Sequence, residues 1–345
     1  MPEQLVTIGP AGAELAGVLH TPAGAGASTH AVLFTPAGMR DRSGPMRLYT
    51  RLARRLCADG HLVLRYDGAG LGESDGSPPE RDRIGAYRAV QDGAQTGDAL
   101  AAARFLRAEV GRPALVVMGL CGGVYHAAHI AREAPELVAG VFAIGAPTLT
   151  IGERGAARSA ELSRTWLERA AHLYLARARD GGAWRRLFSG RSDYRALLRS
   201  VPLLVPDPGA AARRWVAKAR VRLRGQGRQI WATRPSLGRA DLLARLQRAD
   251  PRVDRATWEA LVDLRTRGVP VALAWGEHDS ALCVFDDFLR GPLPEVAELF
   301  ETMVIAGGSH ECADSAPFET LARAAQSFVR CIAAASRRNH AAPLR

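Results

Sequence analysis

Paired cysteines and long apolar runs are missing from this sequence and lysine occurs only once, and each shortage removes a class of explanation. The five cysteines (Cys57, Cys121, Cys283, Cys312 and Cys331) are odd in number, widely scattered and never spaced as Cys-x-x-Cys. Neither a disulfide framework nor a zinc site is therefore expected, and a reducing compartment fits. The opening MPEQLVTIGP carries neither the basic stretch nor the apolar run of a signal peptide, and no stretch of about 18 apolar residues occurs. The expectation is a soluble, cytoplasmic protein without a transmembrane segment. No internal repeat or low-complexity tract stands out. With 345 residues, 47% of them hydrophobic, the chain is long and apolar enough to bury a full core.

Lysine is reduced to Lys218 among 46 basic residues, and the formal net charge is +11. The charge is not spread evenly: residues 151–268 hold 26 Lys+Arg against 11 Asp+Glu, an excess of 15, so the remainder is slightly acidic. A general nucleic-acid footprint is not expected from so local an excess. Two readings of it stay open: the arginine bias of a GC-rich coding sequence, or an electrostatic role toward an acidic carrier protein, a coenzyme A thioester or an anionic surface.

Up to about residue 150, short apolar runs alternate with helical patterns, which predicts a mainly parallel sheet with helices on both faces. Strands are expected at Gln4–Ile8 and Leu15–His20, as an edge hairpin, then at Ala31–Phe34, Leu62–Asp67, Ala114–Met118 and Val138–Ile144. Helices are expected at Met46–Ala58 and Asp98–Ala108, where leucines recur on one face. After Thr150 the alternation gives way to Arg-rich, Pro-interrupted helical sequence, and it resumes with Val271–Trp275, Glu301–Ile305 and the helix Phe318–Ala335. The organisation expected is a core over 1–150 and 269–335, a helical cap or lid over 151–268 inserted after the sixth strand, and a tail over 336–345. Five of the six tryptophans (Trp166, Trp184, Trp215, Trp231 and Trp258) fall in that insertion, as lid core or acyl pocket.

The chemistry centres on GLCGG, Gly119 to Gly123, which follows the apolar run ALVVM and precedes VYHAAHIAREA. Strand, tight turn and helix are the setting of a nucleophile elbow, whose central residue is strained and needs small neighbours; Gly119, Gly122 and Gly123 supply them. Cys121 is thus the expected nucleophile. GESDG, Gly72 to Gly76, matches the serine form by letters, but it runs into SPPERD rather than a helix, so Ser74 is not expected to serve. A base and an acid should follow in the order nucleophile, acid, histidine. GEHDS after VALAW offers Asp279, with Glu277 and His278 as near alternatives, and AGGSHE after TMVI offers His310. His126 and His129 read as residues of the elbow helix. The oxyanion hole would combine the N–H of Gly122 with that of Met39, in the loop TPAGMRDRSGP. No cluster has metal-ligand spacing, so neither metal nor cofactor is expected.

With these residues in place, the chain resembles the α/β-hydrolase superfamily over residues 1–150 and 269–335, and the loop RYDGAGLGESDG, Arg65 to Gly76, resembles the Asp-x-x-Gly-x-Gly-x-Ser stretch of its peptidase-like and lysophospholipase-like members. The early loop reads Ala37-Gly38 where such members often carry His-Gly, which weakens the oxyanion assignment. A cysteine elbow together with WRRLFSGRSDYRALLRS, Trp184 to Ser200, is similar to the hydrolases associated with bacterial exosortase and exopolysaccharide systems. Dienelactone hydrolases also use cysteine, but continue as Cys-x-Gly-Gly and lack so large an insertion; cysteine-type assembly-line thioesterases stay compatible. The resemblance implies an eight-stranded α/β-hydrolase fold and an ester or thioester hydrolase acting on a small-molecule acyl substrate. An acyltransferase passing the acyl group to an alcohol or amine is the first alternative, and a non-catalytic binding module the second.

Overall fold

The computed structural model describes residues 2–23, 31–80, 82–110, 114–151 and 237–341. Its strands are β1 (Glu3–Ile8), β2 (Leu15–His20), β3 (Ala31–Thr35), β4 (Leu62–Tyr66), β5 (Leu115–Leu120), β6 (Val138–Ile144), β7 (Val271–Gly276) and β8 (Glu301–Ile305). They form one eight-stranded sheet in the order β1-β2-β4-β3-β5-β6-β7-β8. The β1–β2 hairpin lies antiparallel at one edge and β2 runs antiparallel to β4; every other pairing is parallel. The parallel strands other than the edge strand β8 are buried along almost their whole length, because helices cover both faces.

The period of two along each strand divides the core. Val32 and Phe34 of β3, with Val116, Met118 and Leu120 of β5, face the helices α1 (Leu48–Ala58) and α9 (Ser315–Ala341). Ala31 and Leu33, with Leu115 and Val117, face α3 (Thr96–Val110), α4 (Gly122–Glu133), α5 (Arg239–Gln247) and α6 (Arg255–Thr266). The remaining helices are α2 (Arg83–Gln91), α7 (Ser280–Phe285) and α8 (Pro294–Ala297), with a π-helical turn at Asp286–Arg290 joining the last two. Because β3, β5, β6, β7 and β8 all point the same way, the loops after their C-terminal ends gather at one edge of the sheet.

Several elements differ from expectation: α2 was not anticipated, and α9 starts at Ser315 and runs to Ala341, inside the expected tail 336–345. The first helix begins at Leu48 rather than Met46, because Met46 and Arg47 are left-handed, with φ of 51° and 57°. The last 30 or so residues of the Arg-rich segment pack into the main core. A parallel crossover from β6 to β7 needs a helix laid on the sheet, and α6 provides it with Trp258, Leu261 and Val262 fully buried. Trp258 stands 5.5 Å from each of Phe285 and Phe300, ring centre to ring centre. Residues 148–150 and 252–254 hydrogen-bond to each other, Thr150 N–H to Arg252 and Asp254 N–H to Thr148, which joins the segment after β6 to the start of α6. Trp166, Trp184, Trp215, Trp231 and the whole of Trp184 to Ser200 lie outside the described residues. Among the described residues no helix is long and apolar enough to cross a membrane.

Candidate active site

Cys121 stands between the end of β5 and the first residue of α4, with φ 52° and ψ −111°. A side-chain-bearing residue holds that geometry only when its surroundings enforce it. Here the Cys121 N–H donates to the Ile144 carbonyl at 2.9 Å, and its own carbonyl accepts from Val124 at 2.9 Å. The Tyr49 hydroxyl accepts from the Leu120 N–H at 2.7 Å, and Thr35 Oγ1 donates to the Gly123 carbonyl at 2.8 Å. The glycines are required by contact: a Cβ on Gly119 would lie 2.5 Å from the backbone of Gly123, and one on Gly123 2.9 Å from the Thr35 carbonyl. The thiol itself is half-buried at the mouth of α4, where the helix presents its unpaired N–H groups.

Asp279 and His310 meet over this elbow. Two backbone bonds join their loops, Glu277 N–H to Ile305 and His278 N–H to Gly308, each 2.8 Å. Gly276 makes the approach possible, since a Cβ there would sit 2.0 Å from the Ser309 carbonyl. Asp279 is fully buried; its Oδ1 caps α7 through the Ala281 N–H at 2.8 Å, and its Oδ2 lies 2.9 Å from His310 Nδ1. Glu277 and His278, the near alternatives, are exposed. Burial pulls the His310 imidazole down, yet hydrogen bonding to Asp279 and to Cys121, with the negative charge of each, more than reverses this and raises it to about 11. Gly145, at φ 55°, holds the other flank: a Cβ would approach His310 Cε1 to 2.7 Å.

The two expected oxyanion donors are neighbours as well. Gly122 packs on Gly38 so closely that a Cβ would meet the Gly38 nitrogen at 2.6 Å. Gly122 opens α4, and neither its N–H nor that of Met39 has a hydrogen-bond partner among the described residues. The Met39 side chain packs with Tyr87, Val90, Tyr125 and Ile151. Ser74 is elsewhere and occupied: its hydroxyl donates to the Asp67 carbonyl at 2.8 Å and accepts from the Ala16 N–H at 2.9 Å, which ties the glycine loop to β2. His126 is fully buried with neither ring nitrogen paired, and burial lowers it to about 3. His129 bonds the Gln91 carbonyl at 2.9 Å. Neither belongs to the cluster at the elbow. Tyr49, Thr35 and Gly145 escape sequence reading, because nothing in their neighbours announces a partner tens of residues away.

No protein-family model matches the chain, and no curated protein matches it in sequence. Solved structures do match. A proline iminopeptidase from Mycobacterium smegmatis superposes with a TM-score of 0.54 at 16% identity, over 96% of this chain and 100% of that one. The α/β hydrolase GrgF from Penicillium sp. sh18 gives 0.50 at 15% identity, over 97% and 100%. The chain has the α/β-hydrolase fold. A proline iminopeptidase-related protein from Thermus thermophilus gives 0.51 at 17% identity over 97% and 100%, and at such identities the shared property is the hydrolase fold alone. Within that fold, Cys121 occupies the strand-to-helix bend, and Asp279 and His310 follow β7 and β8.

Proposed function

We propose that this chain is an enzyme that cleaves acyl esters or acyl thioesters through Cys121, His310 and Asp279. One arrangement supports the reading: a single imidazole bonded at Nδ1 to a fully buried carboxylate and facing, with its other side, a thiol held at a strained bend. The thiol proton passes to His310, leaving sulfur to attack the acyl carbonyl. The N–H groups of Gly122 and Met39 would hold the oxyanion, and collapse expels the alcohol or thiol, which takes its proton from His310. The acyl group then rests on Cys121 as a thioester until water releases it, with the proton path reversed. A thioester resists water relative to amines, so acyl transfer to an amine or alcohol is the second reading.

The substrate is a small-molecule acyl compound, offered free, as a coenzyme A thioester or on an acidic carrier protein facing the arginines of 151–268; in the last two cases the apparent affinity falls with salt. The decisive experiment incubates the protein with nitrophenyl esters and acyl thioesters and follows intact mass. The expected result is a mass gain of one acyl group on Cys121, absent from Cys121→Ala, with Cys121→Ser keeping a small residue of turnover. Adducts on another thiol would defeat the assignment. No adduct and no turnover across the panel would instead favour a hydrolase fold used only for binding. Added alcohols and amines distinguish transfer from hydrolysis by their products.

A further inference from the structure

The loop that carries Met39 is held at two points, and the second is a charge cluster outside the triad. At its start, Gly38 (φ 62°) is pressed between Gly122 and the Tyr87 ring, so that a Cβ would lie 2.3 Å from Tyr87 Cε1. Three residues past Met39, Arg42 is bound through both its backbone and its side chain. Its N–H donates to Asp67 Oδ1, its carbonyl accepts from Arg65 Nη1 at 2.9 Å, and its guanidinium bridges Asp67 Oδ2 and the Glu73 carboxylate. Asp67 is fully buried and also accepts the Glu73 N–H at 3.0 Å; Arg65 is 4% exposed. The Asp67 carboxylate therefore ties the Gly-rich loop after β4 to the loop after β3. The cluster opens to solvent at its Glu73 end, 69% exposed, while the Arg42 side chain is 16% exposed.

We propose that Arg42, fastened by Asp67, is a positioning residue that fixes the Met39 N–H as an oxyanion donor. A guanidinium reaching two carboxylates as its own N–H is taken by one of them removes the freedom a Gly-containing loop otherwise has. Oxyanion stabilisation depends on donors already placed before charge develops, so a small shift of this loop slows the steps that form an oxyanion, acylation and deacylation alike, and spares reactions of the sulfur that form none. The proposal rests on the reading of Cys121 as the acylated nucleophile, and the test separates the two.

Two reactions of the same sulfur are compared. With a nitrophenyl ester, an S–C bond forms through an oxyanion and nitrophenolate leaves, the thiol proton going to His310. With methyl methanethiosulfonate, an S–S bond forms, methanesulfinate leaves and no oxyanion exists. In Arg42→Met, acylation is expected to fall about tenfold to hundredfold, with methylthiolation of Cys121 within about twofold of wild type. Arg42→Lys, which keeps the charge but cannot bridge both carboxylates, falls between. Parallel losses in both reactions, or no loss in either, would overturn the proposal while wild-type acylation upheld the function. A wild type that is methylthiolated yet never acylated would overturn the function and this proposal with it.

Discussion

A glycine at the elbow can be tested more sharply than the nucleophile, because its role is to be absent. In Gly122→Ala the new methyl would meet backbone atoms of Gly38 at 2.5 and 2.6 Å. Neither is the yielding end of a side chain, so the loop carrying Met39 has to move. The expected outcome is a fall of at least about tenfold in acylation by nitrophenyl esters, in line with loss of an oxyanion donor, while alkylation of Cys121 by iodoacetamide persists. Gly145→Ala acts on the opposite wall, 2.7 Å from His310, at a φ that L residues rarely adopt. There, labelling and acylation should fall together, as the imidazole is displaced from the sulfur. Alkylation of Gly145→Ala at the wild-type rate would deny that this wall positions the ring.

Between elements, one buried side chain does the joining. Gln91, at the end of α2, donates to the Tyr125 hydroxyl of α4 at 3.1 Å and to Asp254 Oδ2, the cap of α6, at 2.9 Å. Its Oε1 accepts the Ile151 N–H at 2.8 Å, and its carbonyl bonds His129. Gln91→Leu keeps the volume and strands several buried polar groups at once, so a loss of roughly 2 to 4 kcal/mol is expected, read as a lower urea midpoint at unchanged slope. A midpoint within error of wild type would mean the network contributes nothing net. Sequence reading could not anticipate this junction. It located all eight strands to within two residues, because buried parallel strands are continuous apolar runs and turns are written in glycine. The three residues proposed as the triad stand out for the same reason: Cys121, Asp279 and His310 each follow a strand in glycine-marked loops. The α2 helix was missed because its buried face is short, Ala86 and Val90 with the polar Gln91 at its end. The α6 helix was credited to the insertion because it continues the Arg-rich run, with Arg255 and Arg265 on either side of the apolar stripe of Trp258, Leu261 and Val262. Partners 25 to 163 residues apart leave no local mark, which is why Arg42 and Asp67, like Gln91 and Asp254, became pairs only in three dimensions.

For the whole molecule, buried titratable groups set how the fold responds to acid. Burial lowers His126 to about 3 and His20 to about 4, both below the ordinary histidine value of 6.5. Below pH 6.5 the unfolded chain takes up protons that these folded imidazoles refuse, so the stability present at neutral pH is lost as pH falls toward 4 and then 3. Glu301 acts in the opposite sense: burial raises it to about 7, the folded form binds the proton first, and stability grows as pH falls from 7 toward 4.5. The difference between wild type and a single variant isolates one group from this balance. His126 is the clearest choice, since both ring nitrogens are already unpaired and an apolar replacement forfeits no hydrogen bond. His126→Leu should be at least as stable as wild type at pH 7. Its advantage should widen by roughly 2 kcal/mol at pH 5, a unit and a half below the unfolded value, when both are unfolded in urea at the two pH values. An advantage that stayed constant between them would mean that His126 takes up its proton inside the fold, and that the interior beside the elbow helix is open to water.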